Sequence, residues 1–375
     1  MDFSLIVLVV IIAALAFDFT NGFHDTANAM ATSIATGALR PRVAVAISAV
    51  LNLVGAFLSV EVAKTISGGI VDDAKVTPVI IFAGLVGAIV WNLLTWLVGL
   101  PSSSSHALFG GLIGATWIAS GADAVHFAKV VEKVLIPALA SPLVAGIVAI
   151  VGTFLVYRIT AKARQDVVGR TFKTGQVLSA SLVSLAHGTN DAQKTMGVIT
   201  LTLIASGSLA PGSAPPLWVI LSAGAAIALG TYLGGWRIIQ TMGKKLTEIQ
   251  TPQGFAAETS AAAVILASSH LGFALSTTHV CSGGVIGSGI GRKLAEVRWG
   301  VAGKMVIAWA LTLPAAAIVG AIAAEVSMRG SWGTILVGTA GVLVALGIYL
   351  ASKRNPVTAK TINEPENEQP HPVAA

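Results

Sequence analysis

Apolar runs of about twenty residues recur from residue 3 to residue 351 of this 375-residue chain, with no long polar block between them. A helix rises about 1.5 Å per residue, so about 20 apolar residues cross a hydrocarbon layer of about 30 Å. Runs of that length lie at 43–63, 79–100, 134–157, 217–236, 301–323 and 332–351. Two more, 3–37 and 177–204, are apolar but interrupted, and shorter stretches at 106–119 and 279–291 follow Ser/Thr-rich turns. Only 11% of the residues are charged, against about a quarter in soluble domains. A cytosolic enzyme, a nucleic-acid binder and a disordered regulator are therefore poor fits, and the pattern predicts an all-α polytopic membrane protein. Its 40 glycines are spread through the runs, as suits helices that pack closely in lipid. Met1-Asp2-Phe3 supplies no basic residue ahead of the first run, so no cleaved signal peptide is expected. The single cysteine, Cys281, excludes an intrachain disulfide and a cysteine-based metal cage.

The two halves repeat. Asn21-Gly22-Phe23-His24-Asp25-Thr26-Ala27-Asn28-Ala29-Met30 has a counterpart in His187-Gly188-Thr189-Asn190-Asp191-Ala192-Gln193-Lys194-Thr195-Met196, at an offset of 166. Ser103-Ser104-Ser105-His106 followed by Gly110-Gly111 matches Ser276-Thr277-Thr278-His279 followed by Gly283-Gly284, at an offset of 173. Two matches in the same order point to duplication. Of 23 Lys and Arg, 17 fall in Arg40/Arg42, 158–175, 237–258, 292–304 and the tail after Ser352. Taking that set as cytoplasmic predicts an outside N-terminus and an inside C-terminus. Each half then reads as broken helix, helix, re-entrant-type hairpin and helix, the two halves being inverted. The expected units are a first repeat over 1–157, a basic cytoplasmic loop over 158–175, a second repeat over 176–324, an extra helix over 325–351, and a disordered tail over 352–375. Inverted repeats with broken helices characterise secondary transporters, whose site lies near mid-membrane at the repeat interface.

Ionisable residues inside a bilayer cost about 2.5–3.5 kcal/mol each on insertion scales and mark function by default. Four stand in the apolar zone: Asp18, Asp25, Asp191 and Lys194. Asp25 and Asp191 are repeat mates, each near a glycine (Gly22, Gly188) at which the helix is expected to unwind. A carboxylate with unwound carbonyls makes a hard oxygen site for sodium or a proton; the alternative is that Asp191 and Lys194, three apart, simply pair. Asp18 has Ser184 as its mate and is open to a proton-binding or a structural role. Ser103, Ser104, Ser105, Ser276, Thr277 and Thr278 open two matched helices, where free N–H groups, partial positive charge and hydroxyls can replace an oxyanion's hydration shell. His106 and His279 close these turns as orienting groups or proton carriers. His24 and His187 have Asn at their mate positions (Asn190 and Asn21), which suggests hydrogen bonding. Asn52 and Asn92 read as helix–helix hydrogen bonds. No zinc spacing or oriented nucleophile is present, so neither a resident metal nor a catalytic group is expected.

The stretches Gly22-Phe-His-Asp-Thr-Ala-Asn-Ala29, His187-Gly-Thr-Asn-Asp-Ala192, Leu100-Pro-Ser-Ser-Ser-Ser-His106 and Leu275-Ser-Thr-Thr-His279 resemble the PiT family of inorganic phosphate transporters. The resemblance covers residues 3–323 and is to the bacterial Pit branch of low-affinity permeases. It implies an inverted-repeat carrier, not an enzyme, that imports phosphate on a cation gradient. Phosphate would lie on Ser103–Ser105 and Ser276–Thr278, and the cation would be handled by Asp25, Asn28, Asp191, Asn190 and Lys194. Sodium-coupled members resemble Gly-Ala-Asn-Asp-Val-Ala-Asn-Ala in both halves; here Asn28 keeps the last Asn position of the first half and Lys194 replaces it in the second. A fixed ammonium beside Asp191 can stand in for sodium, and the bacterial branch implies proton coupling, often with phosphate carried as a neutral metal complex. The expected partners are inorganic phosphate, a coupling cation (a proton before sodium) and the lipid bilayer of the cell membrane, with a homodimer open and no nucleic acid or cofactor. A sulfate permease, a sodium-coupled symporter and a passive anion channel are the alternatives.

Overall fold

The computed structural model describes residues 4–292 and 297–363. Among these, fourteen α-helices run in order: α1 (Leu5–Ala35), α2 (Pro41–Gly55), α3 (Glu61–Gly69), α4 (Pro78–Leu97), α5 (Ser104–Ser120), α6 (Phe127–Val130), α7 (Ile136–Thr160), α8 (Gln165–Ala205), α9 (Leu217–Leu233), α10 (Trp236–Gln240), α11 (Thr251–His270), α12 (Thr277–Arg292), α13 (Trp299–Ser327) and α14 (Ser331–Ser352). Among the described residues there is no strand, only the isolated bridges Val71–Val125 and Thr247–Val297. Pro41 and Pro78 open α2 and α4, and Pro252 stands in the first turn of α11, where the missing N–H costs nothing. Five of the described helical stretches are long and apolar enough to cross a membrane, or six if the bent pair of α9 with Trp236–Lys245 counts as one span. Leu139, Ile147, Ile318 and Val342 are exposed on α7, α13 and α14, an apolar outer face that suits lipid. α14 buries only Gly333, Val337 and Ile348 and stands at the periphery.

Packing repeats between the halves. α1 lies against α9 as α8 lies against α2; α4 pairs with α5 as α11 pairs with α12; α13 covers α5 as α7 covers α12. Glycines set these approaches. A Cβ on Gly110 or Gly114 would collide with the carbonyls of Leu313 or Ala317, and one on their mates Gly283 or Gly287 with those of Pro142 or Gly146. The bridges mark two ends of the molecule. Thr77 shares a groove with Leu5, Ser327 and Met328, and the Lys75 carbonyl accepts a hydrogen bond from Ser120, so the Val71–Val125 bridge sits at the far end of the 29-residue α13. The Thr247–Val297 bridge sits at its start. That placement is compatible with an inverted repeat.

Two expectations are corrected. The breaks expected at Gly22 and Gly188 do not occur, and α1 and α8 are continuous through both motifs. These glycines serve helix crossings: a Cβ on Gly22 would strike the Ile227 carbonyl of α9, and one on Gly188 the Asn52 carbonyl of α2. The break falls in the next element of each half instead. The run 43–63 is not one span, since α2 ends at Gly55 and α3 begins at Glu61. The run 217–236 bends by 61° between Leu233 and Trp236, at Gly234, whose φ of 75° admits glycine most easily.

The start of the tail folds back: Arg237 donates to the carbonyls of Leu97, Ser352 and Asn355, and Ile362 is buried. The rest of the tail expected to be disordered, 364–375, lies outside the described residues.

Candidate functional site

The site forms where the hairpin tips meet the middles of α1 and α8. α5 begins at Ser104 and α12 at Thr277, and both tips are buried. Ser103 accepts from the backbone N–H of His106 at 3.1 Å and Ser276 from that of His279 at 3.2 Å. Both are N-caps, and an N-cap hydroxyl keeps its own hydrogen to donate. The tips touch through Ser105 Oγ, which donates to the Leu275 carbonyl at 3.2 Å, and Trp309 Nε1 supports the first tip at the Pro101 carbonyl.

The remaining hydroxyls are spent on carboxylates. Ser104 Oγ donates to Asp25 Oδ2 at 3.0 Å. Thr277 Oγ1 lies 3.4 Å from Oδ2 of both Asp25 and Asp191, and Thr278 Oγ1 lies 3.4 Å from Asp25 Oδ2. Asn28 Nδ2 reaches Thr278 Oγ1 at 3.1 Å and Thr277 Oγ1 at 3.4 Å. Asp25, Asn28, Asp191, Ser104, Thr277 and Thr278 thus form one buried cluster, in which the groups expected for anion and cation are in direct contact. Lys194 Nζ donates to Asp191 Oδ1 at 2.7 Å, so the pairing open from sequence is present. Asn190 stands apart, donating to Ser269 and the Phe273 carbonyl. His106 and His279 pack edge to face at 4.8 Å, and His279 stacks on Trp309 and meets the Ala138 carbonyl at 3.1 Å. Asp18 is buried with neither oxygen in a hydrogen bond.

Three residues join the site that the sequence pattern does not place there. His187 Nε2 lies 3.4 Å from Asp191 Oδ2 and 3.9 Å from Asp25 Oδ2. Its Nδ1 faces Asn52 Oδ1 at 3.2 Å while Asn52 Nδ2 donates to Thr231, so Nδ1 carries the hydrogen. Nε2 then turns either a lone pair or a second proton toward two carboxylate oxygens, and that geometry accommodates a proton or a cation between them. Asp25, His187 and Asp191 each place one ligand atom within 4.8 Å of the others. Asn21 donates to Asp191 Oδ2 at 3.2 Å, crossing from the first half to the second. The i, i+4 spacing of His187 and Asp191, one face of one helix, is the available signal. His24 also binds its neighbour, Nδ1 to Asp25 Oδ1 at 2.6 Å.

Glu258 is a fifth ionisable residue in the apolar zone. It is buried on α11, where Thr32, Ser33, Ser179 and Gln176 all donate to it. Asn52 makes the interhelical bonds expected of it, whereas neither side-chain atom of Asn92 has a partner.

Residues 21–169 and 159–320 match the profile of the phosphate transporter family. A Mycobacterium tuberculosis (strain CDC 1551 / Oshkosh) protein named "Probable low-affinity inorganic phosphate transporter" is 59% identical over 361 residues, which are 96% of this chain and 87% of that one. A Bacillus subtilis (strain 168) protein of the same name is 42% identical over 329 residues, 86% of this chain and 98% of that one. A solved structure named "The sodium-dependent phosphate transporter" superposes with a TM-score of 0.72 at 26% identity, covering 86% of this chain and 99% of that one.

Proposed function

Because the chain belongs to the phosphate transporter family, we propose that it imports inorganic phosphate by proton symport, with the central cluster exposed alternately to the two sides. It is a multi-pass membrane transporter of phosphate, and the relatives and solved neighbour are transporters rather than enzymes. The N-terminus lies outside and the C-terminus in the cytoplasm, following the distribution of Lys and Arg, and the halves are inverted repeats.

One observation carries the reading: the hydroxyls suited to phosphate donate to Asp25 and Asp191. Phosphate and the two carboxylates therefore compete for the same hydrogens. A cation arriving at Asp25 and Asp191 weakens their hold and frees Ser104, Thr277 and Thr278 for the anion. Conversely, an anion beside the buried, unneutralised carboxylate of Asp25 is strongly disfavoured. Each ion thus favours the other's binding, as symport needs. Ser103 and Ser276 cap the helix N-termini at the tips and their hydroxyl hydrogens join the cage, while Ser105 holds the two tips together. Lys194 supplies the fixed charge of the second half and Asn28 is the cation-side amide of the cluster, whereas Asn190 lies outside it and braces the tip at Phe273.

A sodium-coupled reading is favoured by the Asp25–His187–Asp191 trio, whose spacing suits a small cation, and by the sodium dependence that the solved neighbour's name states for that protein. Lys194 weighs against it, because an ammonium already neutralises Asp191.

Equilibrium binding of labelled phosphate to the purified protein, with sulfate as competitor, tests the cage. Ser104→Ala with Thr277→Val is expected to weaken binding by about 100-fold, at about 1–1.5 kcal/mol per hydrogen bond. Unchanged affinity would place the anion elsewhere, and equal competition by sulfate would overturn phosphate selectivity.

A further inference from the structure

Asp18 lies seven residues before Asp25 on α1, about 10 Å along the axis and on a similar face. It is fully buried, and neither carboxylate oxygen has a hydrogen-bond partner. The Thr195 hydroxyl of α8 faces it and is also without a partner. The charged groups that act on it are Asp191, His187 and Lys194, all on α8. Among the other helices packed on α1, α2 and α9 contribute only the exposed Arg42 and Tyr232, and α4 has no titratable side chain. The groups on α5, α11 and α12 meet the later turns, at Asp25 and Thr32.

The basic groups nearby are already committed. Lys194 holds Asp191, and His24 and His187 face Asp25 and Asp191. Asp18 is left as a third acid with no ion-pair partner and only the neutral Thr195 hydroxyl facing it, and a bare buried carboxylate is the form such a place accommodates least. Packing does not demand an acid there. Its repeat mate, Ser184, fills the equivalent place with a hydroxyl that bonds Ser48 and the Ala180 carbonyl.

We propose that Asp18 is a proton-binding carboxyl of the transport cycle, separate from the Asp25–Asp191 cluster. It is loaded with the coupling proton as a neutral acid while the centre is closed and passes that proton to the Asp25–Asp191 cluster when α1 and α8 rearrange. The proton enters from the outer water and leaves the cluster to the cytoplasmic water, and no other bond changes. The proposal rests on the proton-symport reading.

The test uses full-length protein in proteoliposomes, with Asp18→Asn and Asp18→Glu. Two rates are read with labelled phosphate: exchange at equal pH, and accumulation driven by an alkaline interior. Asp18→Asn is expected to exchange label but to lose gradient-driven accumulation, with Asp18→Glu retaining it. Accumulation by Asp18→Asn at the wild-type level would overturn the proposal. So would loss of exchange as well as accumulation in both folded variants, which would assign Asp18 to packing. A wild-type protein driven by sodium and indifferent to pH would instead bring down the proton reading itself, and the Asp18 assignment with it.

Discussion

Asp25 and Asp191 share a donor: the Oδ2 atom of each lies 3.4 Å from the hydroxyl of Thr277. One hydroxyl hydrogen cannot serve both carboxylates fully, so their states are linked through a residue of the second hairpin. Removing that hydroxyl strips a donor from both and from the proposed phosphate cage. Thr277→Val is therefore expected to raise the KM for phosphate by about 10-fold or more, and Thr277→Ser to restore it. An unchanged KM in the folded Thr277→Val protein would show that the shared hydroxyl does not reach the substrate.

Lys194 is the charge that sets the second half apart from the first. Lys194→Asn leaves Asp191 buried without its ammonium, a loss of about 3–5 kcal/mol where no cation replaces it. The variant is expected either to need sodium for phosphate uptake or to lose transport. Full activity with unchanged ion coupling, measured in sodium-free and sodium-containing media, would remove Lys194 from the mechanism.

Glu258 ties α11 to α1 and α8 through four donors. Glu258→Leu strands those donors at about 1–3 kcal/mol each where they stay buried, so thermal unfolding in detergent should fall well below wild type. Glu258→Gln keeps part of the network and should fall less. Equal melting of all three proteins would mean that the donors find other partners.

Close helix crossings predict a sharp contrast among glycines. Gly22→Ala drives a methyl into the Ile227 carbonyl and is expected to destabilise by about 1–3 kcal/mol. Gly169→Ala meets nothing within 4 Å inside a helix and should be neutral or stabilising by up to about 1 kcal/mol. Comparing melting temperatures of the two checks the crossing directly.

Much of this is legible in the chain, for physical reasons that differ by residue. The duplicated Ser/Thr turns announce both hairpins because a short hydroxyl side chain is a favoured helix cap, and Ser103 and Ser276 do cap. Asp25, Asp191 and Lys194 stand out because charge in an apolar run is costly. The position of the helix break is not legible: a glycine that admits a crossing helix looks the same in sequence as one that unwinds its own, and Gly22 and Gly188 are of the first kind. His187 hides behind its Asn21 mate, although both reach Asp191. Glu258 follows a basic polar stretch and reads as part of that loop, since nothing in hydropathy shows that α11 already begins at Thr251.

Orientation is open to chemical labelling, since the one native thiol, Cys281, is buried. A cysteine at Asp123, in an exposed pair with Lys75, is expected to react with an impermeant maleimide in intact cells. One at Arg164, at the start of α8, should react only after permeabilisation. The reverse pattern would invert the topology.

Whether phosphate moves with a proton is read from labelled phosphate uptake into proteoliposomes, with an imposed pH or sodium gradient and sulfate as competitor. Proton symport predicts accumulation driven by the pH gradient in sodium-free medium and indifferent to sulfate. Accumulation that required sodium, or that sulfate replaced, would contradict it.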